Sequence, residues 1–89
     1  MENAQQAASL PDPAFRESVP HVCDAIADES LADRPCFSNI GEVAAIYYHH
    51  NEEKAVDVCT SIGGAAGRWA CEEGAREEVR LALWDRAHP

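Results

Sequence analysis

Two stretches of the chain decide its fold: "VCDAIADESLADRPC" at residues 22–36 and "VCTSIGGAAGRWAC" at residues 58–71. Each opens on Val-Cys, has an isoleucine three residues after that cysteine, and closes on a second cysteine. The enclosed connectors, "DESLADRP" and "GGAAG", are rich in residues that end helices. The pattern predicts one helix–connector–helix unit used twice, with a cysteine before and after each connector.

The positions of the cysteines rank the three possible disulfide pairings. In an antiparallel helical hairpin, residues equidistant from the turn lie side by side. Cys23 and Cys36 are centred on the first connector, and Cys59 and Cys71 on the second. Cys36 and Cys59 are not symmetric about the middle turn near Asn51: they are offset from each other by six residues, or about 9 Å at 1.5 Å per residue, whereas bridged Cα atoms lie within about 7 Å. The sequence therefore favours the pairs Cys23–Cys36 and Cys59–Cys71.

Size and composition indicate a single small helical domain. A chain of 89 residues buries too little surface for a large core, and cross-links commonly compensate at this size. Much of the 46% apolar fraction is alanine, which favours helices, and no segment shows sustained strand alternation. We expect an all-α fold of about four helices in two disulfide-bridged hairpins. Residues 1–11 are expected to be a flexible N-terminal segment, and residues 12–89 the domain.

Caps and apolar stripes predict where the helices lie. Asp12-Pro13 is typical of a helix start, and Pro20 predicts either a short turn at 13–17 followed by a helix at 19–28, or one kinked helix. The second helix should run from Cys36 or Phe37 to His49-His50, and Asn51 should cap the third. The fourth should run from about residue 68 to 86, after Gly63, Gly64 and Gly67. Three stripes are expected to face the core: Ile40, Val43, Ala44 and Tyr47; Ala55, Val58, Cys59 and Ile62; Ala75, Val79, Ala82 and Leu83.

Charge restricts the possible partners. The formal net charge is −9, which argues against nucleic acid and anionic membrane surfaces, because both require a basic patch. No segment has the run of about 20 apolar residues that spans a membrane. A basic protein partner is compatible with this charge, and the alternative is that the acids serve only solubility.

The cysteine count bears on the compartment. An even number of cysteines in a short chain favours disulfides, hence a secreted or periplasmic domain without its leader. The alternative is a cytoplasmic protein with free thiols.

No motif indicates catalysis. The chain lacks a nucleophile elbow, a phosphate-binding loop, a calcium loop and a C-x-x-C pair, so we expect no catalytic residue, no cofactor and no enzyme activity. A zinc site from the four thiolates with His21, His49 and His50 is the competing interpretation, but the cysteines lack the close spacing of such sites. His49 and His50, adjacent on a helix, would point about 100° apart and suit a solvated helix end.

The last helix carries the candidate binding residues. An aromatic side chain surrounded by charge is a common interface pattern. We expect this helix to contact a basic protein partner through an acidic face and a tryptophan: Glu72, Glu73, Glu77, Glu78 and Trp84. Trp69 and Trp84 should share a face, one filling the core and the other exposed. The alternative is that Trp84 packs into the core. A second acidic cluster, Asp24, Asp28 and Glu29, lies near the first connector.

The stretch "NIGEVAAIYYHHNEEKAVDVC" at residues 39–59 resembles a tetratricopeptide-type helical hairpin. Gly41, Tyr47 or Tyr48, and Ala55 take the places of its small, aromatic and alanine positions, although the spacing from Tyr47 to Ala55 is one residue short. Cysteine-rich relatives of these repeats, found in secreted bacterial proteins, also bridge helix ends. The resemblance implies a binding scaffold and no catalytic residue.

The sequence thus indicates a small acidic non-enzymatic protein-binding module, such as an inhibitor or immunity-type protein. The alternative is an accessory or scaffold subunit of a cytosolic assembly with reduced cysteines. A small enzyme or metal-binding protein using His and Cys is the third interpretation. The oligomeric state and the partner's identity are left open.

Overall fold

The computed structural model describes residues 8–23 and 34–88, which form helices and turns without any strand. Residues 1–7, most of the first connector, and the cluster of Asp24, Asp28 and Glu29 lie outside this range. The elements in chain order are α1 (Asp12–Ser18), a 3-10 turn (Val19–His21), α2 (Arg34–Tyr47), α3 (Glu52–Cys59) and α4 (Ala65–Ala87). The predicted all-α class is confirmed.

Both predicted disulfides are present. Cys23 is bonded to Cys36 with their Cα atoms 6.1 Å apart, and Cys59 to Cys71 with their Cα atoms 5.6 Å apart. The second bridge joins α3 to α4. The first joins the residues after the 3-10 turn to the first turn of α2. The two units therefore share their bridging pattern but differ in helix length.

The N-terminal helix begins differently from the prediction. Asp12 is the first helical residue, not the cap, and the cap position is occupied by Pro11 without a side-chain hydrogen bond. The Asp12 carboxylate instead accepts a hydrogen bond of 2.6 Å from the Tyr48 hydroxyl. The helix ends at Ser18, and the fully buried Val19 and Pro20 follow in the 3-10 turn. A break occurs near Pro20, as predicted, but the expected turn at 13–17 is α-helical and the expected helix at 19–28 begins as a 3-10 turn, with its residues 24–28 outside the described range.

The core forms around α2. The predicted stripe is confirmed, since Ile40, Val43 and Ala44 are buried and Tyr47 packs against them. Helix α2 begins at Arg34, two residues before the predicted start, and ends at Tyr47. The fully buried Phe15 of α1 stacks on Tyr47 with ring centroids 3.8 Å apart.

Helix α3 follows the sequence prediction closely. The Asn51 side chain caps it by accepting a hydrogen bond of 3.1 Å from the backbone N–H of Lys54. Glu52 and Glu53 lie in the first turn, where the helix dipole favours acidic residues. The stripe of Ala55, Val58, Cys59 and Ile62 is buried throughout.

Glycines bring α2 and α4 into backbone contact. A Cβ atom added at Gly41 would lie 1.9 Å from the carbonyl oxygen of Cys71, and one added at Gly74 would lie 2.2 Å from that of Ser38. Gly67 was expected to break a helix, but it lies inside α4, where the Phe37 ring packs against it. Only residues without a side chain allow so close an approach.

Candidate protein-binding surface

The five predicted binding residues all lie on α4, but they do not form one uniformly acidic face. Glu73, Glu77 and Trp84 are exposed, whereas Glu72 and Glu78 are half-buried on opposite flanks of the helix. Two of the acids form ion pairs with arginines, Glu72 with Arg76 at 3.7 Å and Glu77 with Arg80 at 2.6 Å, and the carboxylate of Glu78 lies 3.1 Å from the His50 ring. The outward face of α4 is therefore mixed in charge.

Helix α4 extends beyond the helices that pack on it. Helices α2 and α4 run in the same direction, because Phe37 lies against Gly67 whereas the later His50 reaches Glu78. Since Gly41 lies opposite residues 71–75, the end of α2 at Tyr47 falls near residue 80 of α4. Residues 80–87 project past it by about 12 Å at 1.5 Å per residue.

This projecting end explains why three large apolar side chains of α4 are exposed. Leu81, Leu83 and Trp84 are each exposed by half or more. The prediction that Leu83 faces the core is wrong, because the neighbouring helices end before they can cover it. The alternative of a core position for Trp84 is also wrong. The idea that one tryptophan fills the core fails too, since Trp69 and Trp84 are both about half exposed.

A group of carboxylates lies where α2 meets α4. Burial raises the pKa of Glu42, and the nearby charges of Glu78 and Glu77 raise it further. Within the described part of the chain no cation lies within ion-pair distance of Glu42. The carboxylates of this group therefore repel one another, and a cation from outside would relieve that repulsion.

Apolar side chains border these carboxylates. Ile46, which is 56% exposed, lies one turn after Glu42 on α2, and Leu81 and Trp84 lie one to two turns after the α4 acids. We call this surface the α2–α4 edge, and it consists of Glu42, Ile46, Glu77, Glu78, Leu81 and Trp84. Nothing in the sequence marks Glu42 and Ile46 as binding residues, because both lie off the predicted core stripe of α2 and only their position beside α4 makes them neighbours of its acids.

The sequence placed His49 and His50 on the last turn of a helix. In the structure both lie in the turn that follows α2. Both have left-handed backbones, with φ of 55° at His49 and 63° at His50. The N–H of His50 donates to the carbonyl of Ala45, and that of His49 to Ile46, a pattern that commonly terminates helices with glycine at the position of His49. This turn reverses the chain and directs the His50 ring toward Glu78.

No metal centre emerges from the histidines and cysteines. All four cysteines are in disulfides, and within residues 8–23 and 34–88 no three His, Cys, Asp or Glu side chains are grouped to hold an ion. A hollow of about 700 Å³ is an open groove beside α3 whose lining includes Arg16, Glu52, Glu53 and Lys54. Small-molecule sites are usually concave and mostly apolar, so this charged groove does not resemble one.

Comparison with known proteins gives no relative: no protein-family model matches the chain, and no curated protein or solved structure matches it significantly. No helix in the described ranges is both long and apolar enough to cross a bilayer. The two disulfides are consistent with an oxidising compartment.

Proposed function

We propose that this protein is a small, acidic, non-enzymatic binding module that docks on a basic protein through the α2–α4 edge. The carrying observation is the Glu42 carboxylate, which lies near Glu77 and Glu78, has no cation within ion-pair distance among the described residues, and is bordered by the half-exposed Leu81 and Trp84. An interface of this kind combines charge, which speeds association, with an aromatic anchor, which slows dissociation. Inhibitors and immunity-type proteins act by such docking, and this role suits a chain with net charge −9.

Secretion is part of the proposal, and the disulfides support it. The alternative, a cytosolic scaffold subunit, requires reduced cysteines. Mass spectrometry of the native protein without reduction separates the two, because two disulfides lower the mass by four hydrogens relative to the thiol form.

We also keep the resemblance to tetratricopeptide-type hairpins as a proposal. Its support is that Gly41 is the point of close helix approach and that Ala55 is fully buried, as a small position and an alanine position in such a hairpin require. The short turn between α2 and α3 is a further point of support.

The test compares variants that differ in charge at two places. Glu42→Lys places a cation among the carboxylates, whereas Glu17→Lys makes the same charge change on the exposed face of α1. Both proteins, with the wild type and Trp84→Ala, are immobilised and exposed to the secreted proteins of the source cells. We expect the wild type and Glu17→Lys to retain one or more basic proteins that Glu42→Lys and Trp84→Ala do not retain.

Kinetic measurements on a retained protein refine the assignment. Glu42→Lys should slow association and flatten its salt dependence, and Trp84→Ala should speed dissociation. Retention that is equal for all four proteins, with folding verified by circular dichroism, would exclude the α2–α4 edge as the docking surface.

A further inference from the structure

The outward side of α4 carries a continuous row of exposed residues, which we call the ridge. Because a helix turns by 100° per residue, residues three or four apart line up along it. The ridge comprises Ala66, Trp69, Glu73, Arg76, Glu77, Arg80, Trp84 and Ala87, all of them exposed.

The charges along the ridge are complementary to those of the same ridge read in the opposite direction. Its midpoint lies between Arg76 and Glu77, which are oppositely charged and adjacent to that point. Glu73 and Arg80 are equally distant from it and again opposite in charge. Trp69 and Trp84 are also equally distant, at about 11 Å on either side at 1.5 Å per residue. Ala66 and Ala87 complete the symmetry at the two ends.

We propose that a second copy of this chain docks antiparallel along the ridge and forms a two-fold symmetric dimer. A two-fold axis through the midpoint places Glu73 against Arg80 of the second copy, and Arg76 against its Glu77. Each contact occurs twice, as in any isologous interface. At both ends Trp69 meets Trp84 of the other copy, so that four half-exposed indoles become covered.

Other arrangements of the same two helices lack this match. A parallel, in-register pair would place Glu73 on Glu73 and Arg80 on Arg80. An antiparallel pair shifted by one helical turn would place Glu73 opposite Trp84 and leave the second indole without its counterpart. Charge complementarity along the whole ridge therefore selects both the antiparallel direction and the register.

The four indoles set the scale of the affinity. A tryptophan buries 150–250 Å² when fully covered, and these are 53% and 57% exposed. Their association removes roughly 330–550 Å² of apolar surface from water. That area counts the indoles alone and is small for a protein interface, so the dimer is expected to be weak.

This dimer goes beyond the proposed docking function and does not depend on it. The ridge shares Glu77 and Trp84 with the α2–α4 edge, so dimerisation and partner docking exclude each other. Glu73 belongs to the ridge alone, and Glu42 to the edge alone. Substitutions at these two positions therefore distinguish a failure of one idea from a failure of the other.

The test is a charge exchange across the two-fold axis. Sedimentation velocity on the oxidised full chain, from about 5 to 500 µM, measures the dimer in the range expected of a weak interface. Glu73→Arg and Arg80→Glu each turn two attractions into two repulsions and should weaken the dimer at least tenfold. The double variant restores both attractions and should return to within about threefold of the wild type, since paired changes at one contact are non-additive.

Control variants locate the effect. Glu17→Arg and Glu42→Lys should leave the dimer unchanged, and Trp84→Ala should abolish it, while circular dichroism verifies that each variant is helical. A wild type that is monomeric at the highest concentration overturns the proposal. So does a dimer that the single exchanges do not weaken, or one that the double exchange does not restore.

Discussion

Replacing Gly41 by alanine is expected to force α2 and α4 apart at the point where their backbones touch. The new methyl carbon would lie 1.9 Å from the carbonyl oxygen of Cys71 and 2.6 Å from the amide nitrogen of Ala75. Both are backbone atoms of a helix, so neither can rotate away. Ordinary contact begins near 3.4 Å, and a local separation of about 1.5 Å would forfeit more than half of the dispersion attraction between the facing atoms.

The expected loss of stability follows from two opposing effects. Overpacking typically costs about 1–3 kcal/mol, and the rigidity of this contact places it at the upper end. Alanine in a helix offsets about 1 kcal/mol of that cost through its better propensity. The net loss is about 2 kcal/mol, which lowers the midpoint of thermal unfolding by about 8–16 °C for a chain of this size.

Thermal unfolding followed by circular dichroism, with both disulfides intact, measures this loss. Gly63→Ala is the matched control, because a Cβ atom there meets nothing within 4 Å and its φ is not in the left-handed region. Its stability should change by less than about 0.5 kcal/mol. If Gly41→Ala and Gly63→Ala unfold at the same temperature, the reasoning that α2 and α4 touch through Gly41 is refuted.

Three further predictions concern the disulfides, the turn after α2 and the contact between α1 and α2. Replacing Cys59 and Cys71 together by serine should cost about 2–5 kcal/mol in urea unfolding; an unchanged midpoint would mean that packing alone holds α3 on α4. His49→Gly should raise stability by about 1 kcal/mol, because glycine adopts the left-handed backbone without strain, and a loss instead would contradict the observed turn. Burial, followed by the hydrogen bond to Asp12, raises the pKa of Tyr48, so the folded state favours the neutral phenol. The contribution of the neutral Tyr48 hydroxyl to the free energy of unfolding should be complete below about pH 10 and lost at higher pH. Tyr48→Phe should lack this alkaline loss of stability. If the wild type and Tyr48→Phe show the same dependence of unfolding on pH, this prediction is refuted.

Predictions from the sequence succeeded where the determining interactions are local. Asn51 caps α3 through a hydrogen bond three residues away, and the stripe from Ala55 to Ile62 follows from helix periodicity alone. The disulfide pairing was also accessible, since symmetry about a turn depends only on positions along the chain.

Prediction from the sequence failed where contacts with a distant part of the chain determine the local structure. Asp12 has the side chain of a helix cap, yet its carboxylate accepts a hydrogen bond from the hydroxyl of Tyr48, which lies in the turn after α2. The end of α2 at Tyr47 lies close to the predicted end at His49-His50, but the sequence did not predict the left-handed turn that these two histidines form. Glu42 gives no signal of its own and becomes notable only beside Glu77 and Glu78.

The sequence by itself determined the helical class, the cross-links and the order of the helices, because caps, periodicity and turn residues act over a few positions of the chain. Only the tertiary structure decided which residues of α4 are covered. Leu83 continues the apolar stripe of Ala75 and Val79 without interruption in the sequence. It is nevertheless 58% exposed, since α4 is longer than the helices packed against it. Burial of a helix face depends on the length and placement of its neighbours, and no local pattern encodes either.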